Sequence, residues 1–283
     1  MADQDTTSPI TRLVPGLTII ALLIIIAAAI FRVMTLEESQ APAFSRENAP
    51  ATPDYTGTEG WYLKPAAELP GGWERPWGVD LFWFADRVDT YAAGWNAPLD
   101  WVGADTALTD MTDTADQIAA RFGIYAPRRR FASDRNGAAS DVNAALALET
   151  EDVMASFDYY ADDRHKLRGI FLGGTDEGLI AAETIWANRI NDTRPFDSLF
   201  GGVIYRGDLP ENSAFSKLPD CDGKTFPCKQ QLAFLSGESD AEAISNTLNG
   251  FSDWLEENEP KPAAPLPPIE TIEIAPINKP DGQ

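Results

Sequence analysis

The sequence predicts an α/β fold, with a mostly parallel sheet and helices on both faces, preceded by one transmembrane helix. Two patterns predict the fold. Short apolar runs of strand length alternate with stretches of helical periodicity, which is typical of parallel sheets covered on both faces. One such run leads through a glycine-containing turn, residues 173–178, directly into a helical stretch. A third pattern, the uncharged apolar stretch from Leu13 to Phe31, predicts the transmembrane helix.

The composition allows a sizeable core and argues against nucleic-acid binding. The chain has 283 residues, of which 44% are hydrophobic, enough for one medium domain with appendages. Its formal net charge is −22, whereas nucleic acids and anionic lipid headgroups need a basic face. The acidic residues are spread along the chain, as in a solvated surface. The single histidine, His165, limits the possible acid–base mechanisms.

Composition divides the chain into a folded domain and four flanking segments. The domain is expected at residues 55–258. The flanking segments are an N-terminal tail, a transmembrane anchor, a flexible linker and a Pro-rich disordered tail, at residues 1–12, 13–34, 35–54 and 259–283. The Pro, Ser, Glu and Ala content of the last two predicts their lack of a packed core. Docking to a proline-binding partner is the alternative for the tail.

The apolar stretch is long enough to anchor the chain in a membrane. As a helix it would be roughly 28 Å long, about one hydrocarbon core. A cleaved signal peptide is the alternative, because residues 27–29 are alanines that offer a cleavage site. The acidic leader favours an uncleaved anchor. We expect one pass through an inner or plasma membrane and a periplasmic or otherwise extracytoplasmic C-terminal domain, although Arg12 and Arg32 balance across the span.

Within the domain the pattern predicts five strands and four helices. The strands are expected at residues 79–84, 123–127, 167–172, 200–205 and 231–235. The helices are expected at residues 113–122, 138–160, 179–189 and 241–255. Trp61, Trp73 and Trp77 stand among prolines and glycines, which indicates packed loops.

The turn after the third predicted strand has the pattern of a nucleophile elbow. An elbow has the sequence G-x-S-x-G between a strand and a helix. Here Gly174 and Gly178 frame the turn, and Asp176 stands where the serine would be. An aspartate there either attacks a carbon electrophile or marks the loss of catalysis. Hydrolysis also needs a base, usually histidine, but we expect His165 on the surface at the opposite, amino-terminal edge of the sheet.

Two further charged clusters have competing explanations. Arg128 to Arg130 follow the second predicted strand, at the same edge as the elbow. They could clamp a carboxylate or phosphate, but neutralising the protein's own acidic residues is the favoured role. Asp110, Asp113 and Asp116 recur every three residues, and complementing a helix N-terminus explains them more simply than binding a cation. The sequence predicts neither a metal site nor a cofactor.

The two cysteines, Cys221 and Cys228, are separated by a short loop. This spacing fits a disulfide in an oxidising compartment. A pair of reduced thiols is the alternative. A zinc site is not expected, because the chain has one histidine and no other cysteine.

Four segments in this order carry a resemblance to a known family. They are residues 95–98 (WNAP), 125–130 (YAPRRR), 152–160 (DVMASFDYY) and the elbow at 174–178 (GTDEG). The chain resembles a bacterial family of unknown function within the α/β-hydrolase superfamily, and the cysteine pair is similar to a feature of that family. The resemblance implies an α/β-hydrolase-like sheet.

The chain also departs from the family at the positions that matter for catalysis. The family's elbow serine corresponds to Asp176, its neighbouring His to Thr175 and its Gln to Glu177. A family histidine after the first strand falls near Ala85 and Asp86, and the family's late histidine has no counterpart. The Ser-His-acid machinery is therefore not carried over.

These observations lead to three hypotheses. The first is a membrane-anchored, α/β-hydrolase-like binding or scaffold module, which has lost its triad, keeps a pocket beside Asp176, Arg128 and Arg130, and has an envelope protein as partner. The second is a hydrolase of esters or lipids in which Asp176 acts as nucleophile or base, helped by Glu177 or Asp208. The third is a structural tether. A deep apolar pocket below Asp176 would favour the first two.

Overall fold

A six-stranded sheet is the central element of this computed structural model. The structure describes residues 24–26, 42–86, 91–101, 111, 115–116, 118, 122–232 and 238–258. The strands are β1 (Trp61–Leu63), β2 (Val79–Phe84), β3 (Gly123–Pro127), β4 (Gly169–Thr175), β5 (Phe200–Arg206) and β6 (Cys228–Leu232). Their spatial order is β1-β3-β2-β4-β5-β6. Only β1 runs antiparallel to its neighbour. The predicted α/β class with a mostly parallel sheet is confirmed.

Helices cover both faces of this sheet. They are α1 (Ala139–Tyr159), α2 (Asp176–Ile185), α3 (Phe196–Leu199) and α4 (Glu238–Asn258), with π-helical turns at Tyr160–Arg164 and Trp186–Ile190 and 3-10 turns at Arg46–Asn48 and Ala214–Lys217. All six residues of β2 are buried, because successive side chains enter opposite faces and each face is covered. Leu81 and Trp83 pack with the α4 side, whereas Phe82 and Phe84 pack with α1 and α2.

Several element boundaries differ from the sequence prediction. Strand β6 begins at Cys228, three residues before the predicted start, because Cys228 pairs with Gly202 of β5. The edge strand β1 was not predicted, since its three residues lie in a stretch rich in Trp, Pro and Gly. Of the predicted helix at 113–122, most residues lie outside those described. Asp110 and Asp113 also lie outside the described residues, whereas Asp116 is helical and exposed.

The chain before the domain is described only from residue 42, apart from Ile24–Ile26, which are helical. The rest of the predicted anchor lies outside the described residues, within which no helix is long and apolar enough to span a membrane. The end of the predicted flexible linker packs on the domain. Pro42 accepts the indole N–H of Trp95 at 2.6 Å, and Pro50 accepts Nη1 of Arg130 at 3.1 Å. The Pro-rich tail, residues 259–283, also lies outside the described part.

A buried ionic network lies towards the amino-terminal edge of the sheet. Arg168 donates from Nε to Asp80 Oδ1 at 2.8 Å, and Tyr160 donates its hydroxyl to Asp80 Oδ2 at 2.9 Å. The backbone N–H of Gly123 also reaches Asp80 Oδ1, at 3.1 Å. Burial raises the pKa of Asp80 to about 6, against the lowering effect of Arg168. At neutral pH the carboxylate is therefore ionised and paired.

His165 is buried in this region, so the expectation of a surface histidine was wrong. Its Nε2 lies 2.7 Å from the backbone carbonyl of Arg168, and its ring packs against Tyr160 and Phe196. Burial lowers the pKa of His165 to about 4, because desolvation disfavours the imidazolium. The histidine is consequently neutral at physiological pH.

Candidate functional site

The carboxyl ends of three adjacent strands meet at the predicted elbow. The parallel register pairs Phe84 of β2 with Gly174 of β4, and Gly174 with Tyr205 of β5. The residues that follow these strand ends, Asp86, Asp176 and Asp208, therefore belong to one edge of the sheet. This is the edge at which open α/β sheets place their ligand sites.

Two glycines allow the elbow to form. A Cβ added to Gly178 would lie 2.2 Å from the carbonyl oxygen of Phe84, and one added to Gly174 would lie 2.8 Å from the same oxygen. Because neither residue has a side chain, the start of α2 approaches the end of β2 closely. Between the glycines, Asp176 adopts a positive φ of 31°, a left-handed conformation that is unfavourable for an aspartate.

The Asp176 side chain is exposed and turns towards the end of β5. Its Oδ1 lies so close to Gly207 that a Cβ on that glycine would be only 2.7 Å away. Gly207 itself has a φ of 88°, which favours glycine. Asp208 comes next in the chain and is exposed. Asp176 therefore combines an exposed side chain with an unusual backbone conformation.

The backbone amide after Asp176 already has an acceptor. Asp86 Oδ1 accepts the N–H of Glu177 at 3.0 Å. In a hydrolytic elbow this amide, which follows the nucleophile, donates to the oxyanion of the tetrahedral intermediate. Here a carboxylate from the end of β2 takes that position. An oxyanion at this point would therefore have to displace a negatively charged side chain.

A buried ion pair fixes the segment that carries Asp86. Arg129 donates from Nη2 to the carbonyl of Ala85 at 2.6 Å and from Nε to Glu149 Oε1 at 2.9 Å. Its side chain is fully buried, and its Nη1 has no acceptor among the described residues. The second oxygen of Glu149 accepts the N–H of Ala132 at 2.9 Å. Arg129 and Glu149 thus position Ala85, and with it the Asp86 backbone.

Sequence reasoning placed Arg129 at this edge but did not identify Glu149 as its partner. A signal was present in α1, where Glu149 and Asp152 interrupt a buried face formed by Ala145, Leu148 and Val153. Acidic residues on such a face need cationic partners. The arginine triplet after β3 supplied them.

The predicted pocket candidates Arg128 and Arg130 do not join the elbow. Arg130 donates from Nη2 and Nε to the two oxygens of Asp152, at 2.6 and 2.9 Å. Arg128 donates from Nη1 to the carbonyl of Leu99 at 2.9 Å and stacks over the ring of Tyr62. Both guanidinium groups are occupied by contacts within the domain. The hypothesis of an arginine-lined pocket beside Asp176 therefore has no support in their positions.

Two cavities lie near the ends of the sheet, and Asp176 lines neither of them. The half-buried Glu177 lines a cavity of about 60 Å³ between α1 and α2, together with Leu146, Glu149 and Ile180. A much larger apolar cavity of about 590 Å³ lies at the opposite edge of the sheet. Among the described residues, no cluster of three or more Asp, Glu, His or Cys side chains could hold a metal ion.

The two remaining chemical features lie away from the elbow. Cys221 and Cys228 form a disulfide that joins the loop before β6 to the first residue of that strand. His165 lies before β4 and is buried, whereas Asp176 follows β4 at the other end of the strand. No protein-family model matches the chain, and no curated protein is significantly similar to it. The residues and their geometry must therefore carry any functional argument.

Proposed function

We propose that this protein is a membrane-anchored, α/β-hydrolase-like module that binds or scaffolds an envelope protein partner and does not hydrolyse esters. The observation that carries this proposal is the hydrogen bond from the Glu177 amide to Asp86. It places a carboxylate where an elbow must stabilise an oxyanion.

The electrostatics of the edge oppose ester hydrolysis. Removing one oxyanion-hole donor typically costs a factor of about 10² to 10³ in turnover, and here the amide is engaged by an anion. Asp86, Asp176 and Asp208 all belong to this edge, so a developing negative charge would be repelled further. The only histidine, His165, is neutral, buried and bonded elsewhere. No imidazole is in place to activate water for attack.

The hydrolase-like ancestry is supported by the elbow. A strand, a tight turn with a positive φ and a helix occur together at residues 169–185, which is the context of a nucleophile elbow. The apolar stretch at residues 13–31 supports a membrane anchor. The disulfide supports a domain in an oxidising, extracytoplasmic compartment.

The test is an ester panel assayed with the full chain in detergent micelles. Chromogenic esters of short and long acids would be offered to the unaltered chain, to Asp176→Ala and to Asp86→Ala. We expect no turnover above the buffer rate from the unaltered chain or from Asp176→Ala. Circular dichroism of each sample is the control for folding. Turnover by the unaltered chain that disappears in Asp176→Ala would overturn the proposal.

One observation favours a second function, a hydrolase of esters or lipids with an aspartate-based mechanism. Asp176 is exposed and held at a φ of 31°, and such strain is often retained at reactive positions. In this mechanism Asp176 would act as nucleophile or base, with Glu177 or Asp208 as the second carboxylate. Asp176→Asn separates this function from the first. It preserves shape and removes charge, so it would abolish turnover only if the carboxylate reacts.

A further inference from the structure

A groove rich in tryptophan opens at the amino-terminal edge of the sheet. We name it the tryptophan groove and define it by Trp73, Trp77, Leu167, Phe226 and Trp254. It belongs to the apolar cavity of about 590 Å³, a size within the range of ligand sites. Trp77 precedes β2, Leu167 precedes β4, and Trp254 lies near the end of α4. The groove is therefore at the opposite end of the strands from the elbow.

The groove presents apolar surface that an occupant would cover. The side chains of Trp73 and Leu167 are 55% and 45% exposed, and contiguous apolar surface of this kind marks binding sites. The indole N–H of Trp77 is buried and has no acceptor among the described residues. A buried donor that lacks an acceptor destabilises the folded chain. An occupant of this groove should therefore combine flat apolar groups with carbonyl acceptors.

The chain carries a segment with these properties directly beside the groove. Asn258, the last residue of α4, lines the cavity. After Glu259, residues 260–268 have the sequence PKPAAPLPP. We propose that this segment docks in the tryptophan groove as a polyproline II helix. The proposal does not depend on whether the elbow is catalytic.

The proline spacing fits a single face of such a helix. Polyproline II has three residues per turn, so Pro262, Pro265 and Pro268 project from the same side. Over residues 260–268 the helix would extend roughly 28 Å at 3.1 Å per residue. Starting at Asn258, the segment needs no additional linker to reach the groove.

The chemistry of the two surfaces is complementary. Aromatic-lined grooves bind proline-rich segments because proline rings pack on flat aromatic faces and the extended helix loses little entropy on binding. The polyproline II backbone makes no internal hydrogen bonds, so its carbonyls are available to donors such as Trp77. The one charged residue of the segment is Lys261, and the exposed Asp197 lies on the groove wall. Their opposite charges favour docking.

Hydrogen–deuterium exchange on the full chain in detergent tests the proposal. Amides of residues 72–78, 196–200 and 253–258 report on the groove. The test variant replaces Pro262, Pro265 and Pro268 by Gly, and its matched control replaces Pro276 and Pro280 by Gly. We expect the test variant alone to raise exchange at the groove about tenfold, because a tethered segment acts at millimolar effective concentration. Equal exchange in both variants would overturn the proposal.

Two further measurements identify the occupant. Trp73→Ala removes an exposed groove residue, and we expect it to raise exchange at the groove as the proline variant does. If it leaves exchange unchanged, the segment does not bind here. Protection in the unaltered chain should be independent of protein concentration. Protection that grows with concentration would mean that a second copy supplies the segment, and protection restored only by an added apolar ligand would mean a small-molecule site. Either result overturns docking within one chain.

Discussion

Charged side chains have different environments at the two edges of the sheet. At the amino-terminal edge, Asp80 and Arg168 are buried and fully paired, and apolar side chains open onto a groove. At the carboxyl edge, Asp176 is exposed and has a positive φ, and a cavity of about 410 Å³ is lined by Arg128, Leu99 and Asp100 but not by Asp176. Asp176, the residue that most resembles a catalytic group, thus lines neither the cavity of about 410 Å³ nor the cavity of about 590 Å³. This difference supports the proposal that the protein binds a partner and does not hydrolyse esters.

The strongest way to test this comparison is to remove one carboxylate from each edge. We expect Asp80→Ala to lower the free energy of unfolding by about 3–5 kcal/mol, because Arg168 would be left as a buried, unpaired charge. Asp86→Ala should cost only about 1 kcal/mol, since Asp86 is only half-buried and its bond to the Glu177 amide is of the helix-capping kind. Urea unfolding of both variants, monitored by circular dichroism, measures the two effects.

A double variant that removes both charges is the control for Asp80→Ala. In the double variant Asp80→Leu with Arg168→Met, the uncompensated charge is gone, so much of the lost stability should return. If Asp86→Ala cost as much as Asp80→Ala, the carboxyl edge would also depend on a buried charge network. The contrast between the edges would then be lost.

A second prediction concerns the pH dependence of the amino-terminal edge. The pKa of His165 is about 4 in the folded chain and about 6.5 unfolded. Between these values the unfolded chain binds a proton that the folded chain does not, so stability falls as pH falls. His165→Gln cannot gain this proton and still donates a hydrogen bond. We therefore compare the free energy of unfolding of His165→Gln with that of the unaltered chain. We expect the difference, variant minus unaltered chain, to increase by about 3 kcal/mol from pH 7 to pH 4.

The comparison with His165→Gln is needed because Asp80 changes the free energy of unfolding with pH in the opposite direction from His165. The pKa of Asp80 is raised to about 6, so between its unfolded value and pH 6 the folded chain binds the extra proton. The contribution of Asp80 is present at low pH and lost as pH rises through about 6. The two slopes partly cancel in the unaltered chain, while the difference between the two proteins isolates His165. A constant difference from pH 7 to pH 4 would contradict the buried, neutral histidine.

Local patterns predicted the interior of the fold well. The buried runs of β2 and β3 begin and end as predicted, at 79–84 and 123–127, because strands covered on both faces are continuously apolar. The glycine pair at 174 and 178 likewise predicted a tight turn. Strand β6 was misplaced, since its sequence CKQQL has only two buried residues and little apolar pattern. Its position follows from pairing with β5, which is not visible in a local window.

The site was harder to predict because partners distant in sequence determine it. The arginine triplet had two possible roles, and only the folded chain brings Arg129 to Glu149 and Arg130 to Asp152. Asp86 was a candidate by position, but its bond to the Glu177 amide spans 91 residues. The burial of His165 was missed for the same reason. Its charged neighbours, Asp162 to Lys166, suggest a surface, whereas Tyr160 and Phe196 enclose its ring.

The smallest expected effect tests the strain at the elbow itself. Asp176→Gly should raise the free energy of unfolding by about 1 kcal/mol, because glycine adopts a positive φ without the steric cost of a side chain. It also removes a carboxylate from a crowded acidic edge. The matched control is Asp162→Gly, at an exposed position in the π-helical turn after α1, which should cost about 0.5–1 kcal/mol. Urea unfolding at pH 7 measures both. If both substitutions destabilised the chain equally, Asp176 would not be strained. The carboxyl edge would then have lost the feature that most resembles an active site.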